Sequence, residues 1–399
     1  MNPARSRSWN RNRMNRGGGL GGRAAVVGIG ATEFSKDSGR SELALAAEAV
    51  RAALDDAGLS PADVDGLVTF TMDTSPEIAV ARATGIGELS FFSRIHYGGG
   101  AACATVQQAA PAVAAGVAEV VVCYRAFNER SGRRFGSGVR QREPSAEGAA
   151  LGWNMPFGLL TPASWAAMTA RRYLSVHGLT PEAFGPVAVT GRRHAARNPA
   201  AYFYRRPITL ADHAASRWIA EPLRLLDCCQ ETDGGQALVV TSLERARELP
   251  HPPAVIVAAA QGAGRSQEQM TGFHRADLTG LPETAVVARQ LWRASGLAPG
   301  DIDVGIVYDH FTPYVLMQLE EYGFCGRGEA SDFVAADALP LNTHGGQLGE
   351  AYLHGMNGVA EAVRQIRGTS VNQVPGAARA LVTAGTGVPT SGLILGADG

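Results

Sequence analysis

Two short clusters in the last third of the chain hold the side chains best suited to moving protons. The first is Tyr308-Asp309-His310; the second, Tyr352-Leu353-His354, follows Asn342-Thr343-His344-Gly345-Gly346. A phenol ordinarily titrates near about 10, so one that acts as a base needs help from a cationic or hydrogen-bonding neighbour. His310, His344 and His354 are the candidates for that help. A tyrosine at a strand end beside His and Phe is also an ordinary core residue, so the functional case rests on the two phenols together. A zinc site needs three or four convergent ligands; Asp309 and His310 with His344 or His354 show no ligand spacing, and no metal is expected. Lys36 is the single lysine among 36 basic residues, which leaves one candidate amine for a Schiff base and nearly excludes that route to carbon–carbon cleavage.

The elements that must position these groups repeat. Ala57-Gly-Leu-Ser-Pro-Ala-Asp-Val-Asp65 and Ser295-Gly-Leu-Ala-Pro-Gly-Asp-Ile-Asp303 each follow an amphipathic helical run, 42–54 and 282–294. Each leads into a short apolar strand, 66–70 and 304–308. Helix–turn–strand units at matching places describe a duplicated α/β chain with its active site between the halves. Strands are expected at 24–29, 91–96, 119–124, 237–242, 254–258, 380–384 and 393–395, and their continuous apolar character argues a sheet buried on both faces. Residues 23–250 form the N-terminal half, including an Arg-rich, Pro-interrupted cap at 126–225; residues 251–399 form the C-terminal half. Residues 1–22 are a basic tail, expected to be disordered. Arg192, Arg193, Arg205 and Arg206 in the cap could bind phosphates, although for any one of them a solvated face is the more ordinary role.

The 399 residues are 45% apolar, ample for a large core, and the net charge of −1 gives no electrostatic case for nucleic acid. No apolar run approaches a membrane span. Five cysteines with neither a C-x-x-C pair nor a disulfide ladder fit a reducing cytosol, so a cytoplasmic protein is expected.

From Ala24 to Gly399 the chain resembles the thiolase superfamily, in particular its sterol-carrier, lipid-transfer-protein type. The segment 227–237 is similar to the one before that family's fifth strand. His194-Ala-Ala-Arg-Asn-Pro199 and 215–227 are similar to its loop domain. Tyr308-Asp309-His310-Phe311 stands where the family has His-Asp-Cys-Phe or Asn-Glu-Ala-Phe. The resemblance implies a five-layered α-β-α-β-α fold and dimers. Counted back from Gly116-Val-Ala-Glu119, the nucleophilic cysteine of the family falls on Gly99. A competing register, in which Cys103-Ala-Thr105 matches literally, would shorten a buried helix by about one turn. Aligned from Gly345-Gly346, the Gly-His-Pro triplet becomes Ala351-Tyr352-Leu353, so the catalytic histidine is Tyr352 and the water-holding position is Tyr308.

Thiolase pockets stabilise the enolate of an acyl-CoA thioester, and retro-aldol cleavage of a β-hydroxyacyl-CoA makes the same enolate. Within the superfamily the pattern resembles the subgroup that serves as the aldolase of bacterial steroid side-chain degradation. That implies cleavage of a 17-hydroxy-3-oxo-pregnene-carboxyl-CoA type steroid to a 17-ketosteroid and propionyl-CoA, with no cofactor beyond the substrate's CoA thioester. It further implies an OB-fold acyl-CoA-binding partner on a homodimer core, a heterotetramer in all. The carried-over roles are Tyr308 and Tyr352 as acid and base, Asp309, His310 and His354 as catalytic support, and Gly99, His344, Gly345 and Gly346 around the substrate. Gly99 is expected to leave room for a branched tertiary alcohol. Two rivals stand beside this reading: a non-catalytic acyl-CoA or lipid carrier, and a thiolase using Cys103.

Overall fold

A computed structural model describes residues 21–96, 98–132, 134, 136, 146–268, 270–387 and 389–399. Most of the basic tail lies outside them. Eleven strands are present: β1 (Ala24–Ala31), β2 (Gly66–Phe70), β3 (Phe91–Ile95), β4 (Val120–Asn128), β5 (Trp218–Ala220), β6 (Leu223–Arg224), β7 (Asp233–Ser242), β8 (Ala254–Gly262), β9 (Val304–Ile306), β10 (Arg379–Ala384) and β11 (Thr390–Ala397). Nine of them form one sheet in the order β3-β2-β4-β7-β1-β8-β11-β10-β9, and β5 and β6 make a separate ribbon.

The sheet order displays the duplication. β2 runs parallel to β4, which is antiparallel to β7, which is antiparallel to β1. β9, β10, β11 and β8 repeat that sequence of pairings. The halves meet where β1 pairs with β8 over Ala25↔Val255 and Val26↔Ala254. Side-chain alternation along the strands then sorts the core into layers. Ala25, Val27, Leu67 and Val122 face the helix Glu42–Ala57, and Val257, Leu381 and Ile394 face the helices Pro282–Ser295 and Thr312–Glu321. Val26, Val68, Ile256, Ile306 and Val382 enclose the central helices Ala102–Ala114 and Met356–Arg367. Helix, sheet, helices, sheet, helix is the five-layered arrangement expected.

The repeated turn explains how each half starts. Gly58 and Gly296 both end their helices at φ 67°, a left-handed cap that glycine adopts without Cβ strain. Pro61–Asp63 and Pro299–Asp301 then make matching single 3₁₀ turns. Asp65 accepts from the N–H groups of Glu119 and Val120 at 3.0 Å. Asp303 does the same for Ala378 and Arg379 at 2.9 and 2.8 Å. In both halves an aspartate at the foot of one strand thus fixes the start of its parallel neighbour.

Strand β4 continues to Asn128, into the segment read as a cap, because its ladder with β7 runs as far as Asn128↔Asp233. The helices Pro162–His177 and Gly185–Ala195 pack through Ala166, Tyr173, Leu174 and Val187 onto the outer layer of the C-terminal half. Tyr202 and Phe203 donate their N–H groups to Glu350 and Gly349 at 2.9 and 3.3 Å. The cap therefore clamps the loop that carries Tyr352.

Candidate active site

β9 ends at Ile306, yet the chain beyond it is held as firmly as a strand. The Asn342 amide accepts from Val307 N–H at 2.8 Å and donates to Val307 C=O at 2.9 Å, and Tyr308 N–H donates to Thr383 Oγ1 at 2.9 Å. This fixes Tyr308, only 3% exposed, at the floor between the halves. Tyr352 arrives from the clamped loop, its N–H donating to Thr232 Oγ1 at 2.8 Å. The two phenol oxygens meet at 3.3 Å. Tyr352 is the more exposed of the pair. Burial pushes both hydroxyls well above the usual phenol range.

Gly99 touches this pair from the other half. A Cβ built on Gly99 would lie 2.3 Å from Tyr308 Oη, and one on Gly98 would lie 2.6 Å from the His354 ring. The expectation that Gly99 leaves room for a branched substrate is corrected: the Tyr308 hydroxyl already fills that volume. The same contact bars a cysteine at 99 while Tyr308 stands where it does. Cys103 offers no substitute nucleophile. It is fully buried in the central layer, its Sγ directed at Val382 C=O at 3.6 Å, and burial raises its thiol far above the usual range.

The supporting residues sort by contact. Asp309 accepts the N–H groups of Gln347 and Leu348 at 2.7 and 3.3 Å, capping the short helix Gly346–Gly349. Burial raises its carboxyl to about 7. Its evident work is to seat the loop leading to Tyr352. Gly345 (φ 114°) and Gly346 (φ 68°) adopt backbone that side chains disfavour, and added Cβ atoms would meet Ala195 and Asp309. They are packing glycines, pressed against protein on those faces.

His354 stacks on Phe127 at 5.2 Å, stands edge-on to Tyr352 at 5.0 Å, and accepts a hydrogen bond from Arg125 Nε at Nδ1, 3.1 Å away. His310 stacks on Tyr314 at 5.0 Å and tilts against Tyr308 at 4.9 Å, while its Nδ1 has no partner among the described residues. His344 is buried with neither ring nitrogen hydrogen-bonded among the described residues, and its Nε2 lies 4.0 Å from Glu350. Burial lowers all three imidazoles, His310 to about 3 and His344 to about 4, with Arg125 adding to the effect at His354. His310 and His354 offer the phenols ring contacts, and the lowered imidazoles do not supply the cationic form of the help expected of them.

Several residues at the site carry no motif. Arg125, fully buried, pairs with Asp73 and lies over the Phe127 ring at 4.0 Å. Gly385 packs so closely that a Cβ would come within 2.5 Å of Gly100, and Thr386 Oγ1 reaches His310 Nε2 at 3.4 Å. Cys229 donates its N–H to His310 C=O at 2.8 Å. Charge in the middle of an apolar strand, Val120 to Phe127, is the one signal that could have exposed Arg125 in advance.

Lys36 donates to Gln230 Oε1 at 3.2 Å and Glu231 C=O at 2.5 Å, and burial with the nearby Arg130 charge lowers its ammonium to about 8. Two of the four cap arginines are occupied structurally. Arg192 donates to Arg206 C=O and covers the Phe203 ring at 3.6 Å, and Arg193 pairs with Asp337 at 2.6 Å.

A layered α/β fold with paired halves and a floor built where those halves meet defines the class, and comparison with known proteins agrees. The models for the thiolase N-terminal domain and the thiolase C-terminal domain-like region match residues 24–244 and 264–396, and the chain belongs to the thiolase family. It is 68% identical over 387 residues to a steroid side-chain-cleaving aldolase of Thermomonospora curvata, covering 95% of this chain and 99% of that one. It is 66% identical over 385 residues to the 17-hydroxy-3-oxo-4-pregnene-20-carboxyl-CoA lyase of Mycobacterium tuberculosis, covering 94% and 100%. A solved structure described as an Ltp2-ChsH2(DUF35) aldolase superposes with a TM-score of 0.91 at 68% identity, covering 95% of this chain and 99% of that one. A monomeric SCP2-thiolase-like protein from Mycobacterium smegmatis, at 21% identity and a TM-score of 0.71 over 94% of this chain and 76% of its own, shares the fold. No helix among the described residues is long and apolar enough to cross a membrane.

Proposed function

We propose that the chain is a carbon–carbon lyase in which Tyr308 and Tyr352 are the acid–base pair of a retro-aldol cleavage. The substrate is a 17-hydroxy-3-oxo-pregnene-carboxyl-CoA type steroid, and the products are a 17-ketosteroid and propionyl-CoA. The relatives' activities and 66–68% identity over nearly the whole chain support the reaction. One observation carries the site: two phenols 3.3 Å apart, one of them filling the place of the family's nucleophile.

The chemistry follows from that geometry. One phenol oxygen takes the proton of the β-hydroxyl. The bond between the carbinol carbon and the α-carbon breaks, its electrons passing into the thioester to form the enolate, and the pair returns a proton to the α-carbon. The thioester is itself the electron sink, so no imine on Lys36 is required, and an amine meeting a thioester would be acylated instead. The reaction as drawn uses no metal and no cofactor. Asp309 and the glycines hold the Tyr352 loop, while His310 and His354 hold the rings in place as neutral groups. A partner of OB-fold, acyl-CoA-binding type on a homodimer core, a heterotetramer in the cytoplasm, completes the proposal. The description of the structural relative as an Ltp2-ChsH2(DUF35) aldolase supports such a partner.

The test is incubation of the chain, with and without a co-expressed OB-fold partner, with the steroid β-hydroxyacyl-CoA. Release of propionyl-CoA is expected, and Y308F and Y352F should each lower turnover by about 10²–10⁴-fold with the fold intact. Wild-type rates in both variants would sink the phenol pair. Binding without turnover, even with the partner present, would make the chain a carrier.

A further inference from the structure

Alternate residues of β4 point the same way, and the face that carries Arg125 and Phe127 is turned to the phenols. Arg125 donates to His354 Nδ1 at 3.1 Å, and the Phe127 ring meets Tyr352 edge-on at 6.4 Å. Glu129 comes next on that face, one residue past the end of the strand. It is 3% exposed, and its Oε2 is buried with no hydrogen-bond partner among the described residues. An unsatisfied buried carboxylate oxygen is costly, and a fold that keeps one calls for a functional account.

Its surroundings supply one. Glu231, Asp233, Arg125 and Lys36 act on Glu129 electrostatically, and Glu129 in turn acts on Cys229, Tyr308 and Tyr352. Burial and the Glu231 charge hold the Glu129 carboxyl well above its usual range, while Arg125 and Lys36 pull it back. The Glu129 charge also favours the protonated form of both phenols, as a neighbouring proton acceptor must.

We propose that Glu129 is the proton reservoir of the Tyr308–Tyr352 pair, an inference that rests on the phenol-pair reading above. A phenol that is already protonated can accept the substrate's hydroxyl proton only by passing its own proton on. Glu129 takes that proton as the carbon–carbon bond breaks, through a bridging water, and returns it to the pair as the enolate α-carbon is protonated. Protons balance: the hydroxyl loses one, the α-carbon gains one, and the pair and Glu129 end as they began. Glu129 acts through the phenols and does not touch the substrate.

The experiment compares the wild-type chain, E129Q, E129D, Y308F and Y352F, each with its partner present, by kcat and KM across pH. Glu129 must be ionised to accept a proton, so wild-type kcat should fall as pH drops through the raised carboxyl pKa. E129Q should lower kcat about 10²-fold with KM unchanged, and should lack that acidic limb. E129D keeps the charge and should keep the limb, which decides the matter should the glutamine variant fail to fold. Near-normal kcat in E129Q, a wild-type limb persisting in a slow E129Q, or a limb missing from folded E129D would each overturn the proposal. Inactive Y308F and Y352F beside an active E129Q would remove Glu129 alone, whereas active Phe variants would remove the phenol pair beneath it.

Discussion

The two halves of the chain start from the same turn and diverge within a strand's length. Gly58 and Gly296 share a φ of 67°, and Asp65 and Asp303 each hold two backbone N–H groups of the neighbouring strand. Carrying that register forward sets Phe70 opposite Tyr308. Both rings approach His354 and its loop: Phe70 stacks on the imidazole at 6.2 Å, and Tyr308 lies beside Gly355. One half ends its strand in a plain aromatic ring, and the other carries, two residues past its strand, a phenol directed at Gly99. The duplicated framework is symmetric to within a turn and a cap, and the halves part company at its end. The N-terminal half contributes room for the rings, through Gly98 and Gly99, while the C-terminal half contributes the two phenol oxygens.

Substitutions that disturb this division should rank by how directly they touch it. G99A introduces a Cβ at 2.3 Å from Tyr308 Oη. Turnover should fall about 10²-fold or more, with folding measured by circular dichroism largely kept; normal activity would mean that the glycine face does not set the phenol's position. D65A and D303A each remove a side-chain acceptor of two backbone hydrogen bonds, and each should lose about 1–3 kcal/mol in denaturant titrations. D303A should also reduce turnover, because its strand leads to Tyr308, whereas D65A should not. Equal activity losses in the two would contradict a one-sided site. F70Y puts a hydroxyl at the counterpart position of a fully buried ring. The expected outcome is about 1–3 kcal/mol of destabilisation and no gain in rate.

A further effect is one of pH. His310 is lowered to about 3 when folded, so between there and the usual histidine range the unfolded chain binds a proton that the folded chain refuses. Its contribution to stability is complete above about 6.5 and is lost as pH falls toward about 3. H310F, which preserves the ring stack on Tyr314, should flatten the stability profile across that window. An unchanged profile in thermal melts at several pH values would refute the assignment.

How much of this was readable in advance follows from how local each signal is. The repeated turn was legible because its causes lie within nine consecutive residues: a glycine cap, a proline at the start of a 3₁₀ turn, and an aspartate before an apolar strand. The strand 66–70 emerged with the boundaries expected of it. The end of β4 did not, since the ladder that extends it depends on Asp233, far away in the chain. Tyr308 and Tyr352 could be singled out by register against the family's motifs. Their contact, and the Gly99 surface that confines them, arise from packing between halves that no local pattern encodes. Arg125 and Asp73 come together only because β2 and β4 lie side by side in the sheet. The histidines show the limit in another way: their identity was visible, but their charge state is decided by burial.

The crowding of Gly99 against the Tyr308 oxygen couples two positions that lie far apart in the chain. A thiol at 99 and the present tyrosine placement exclude one another, so neither position can be exchanged without regard to the other.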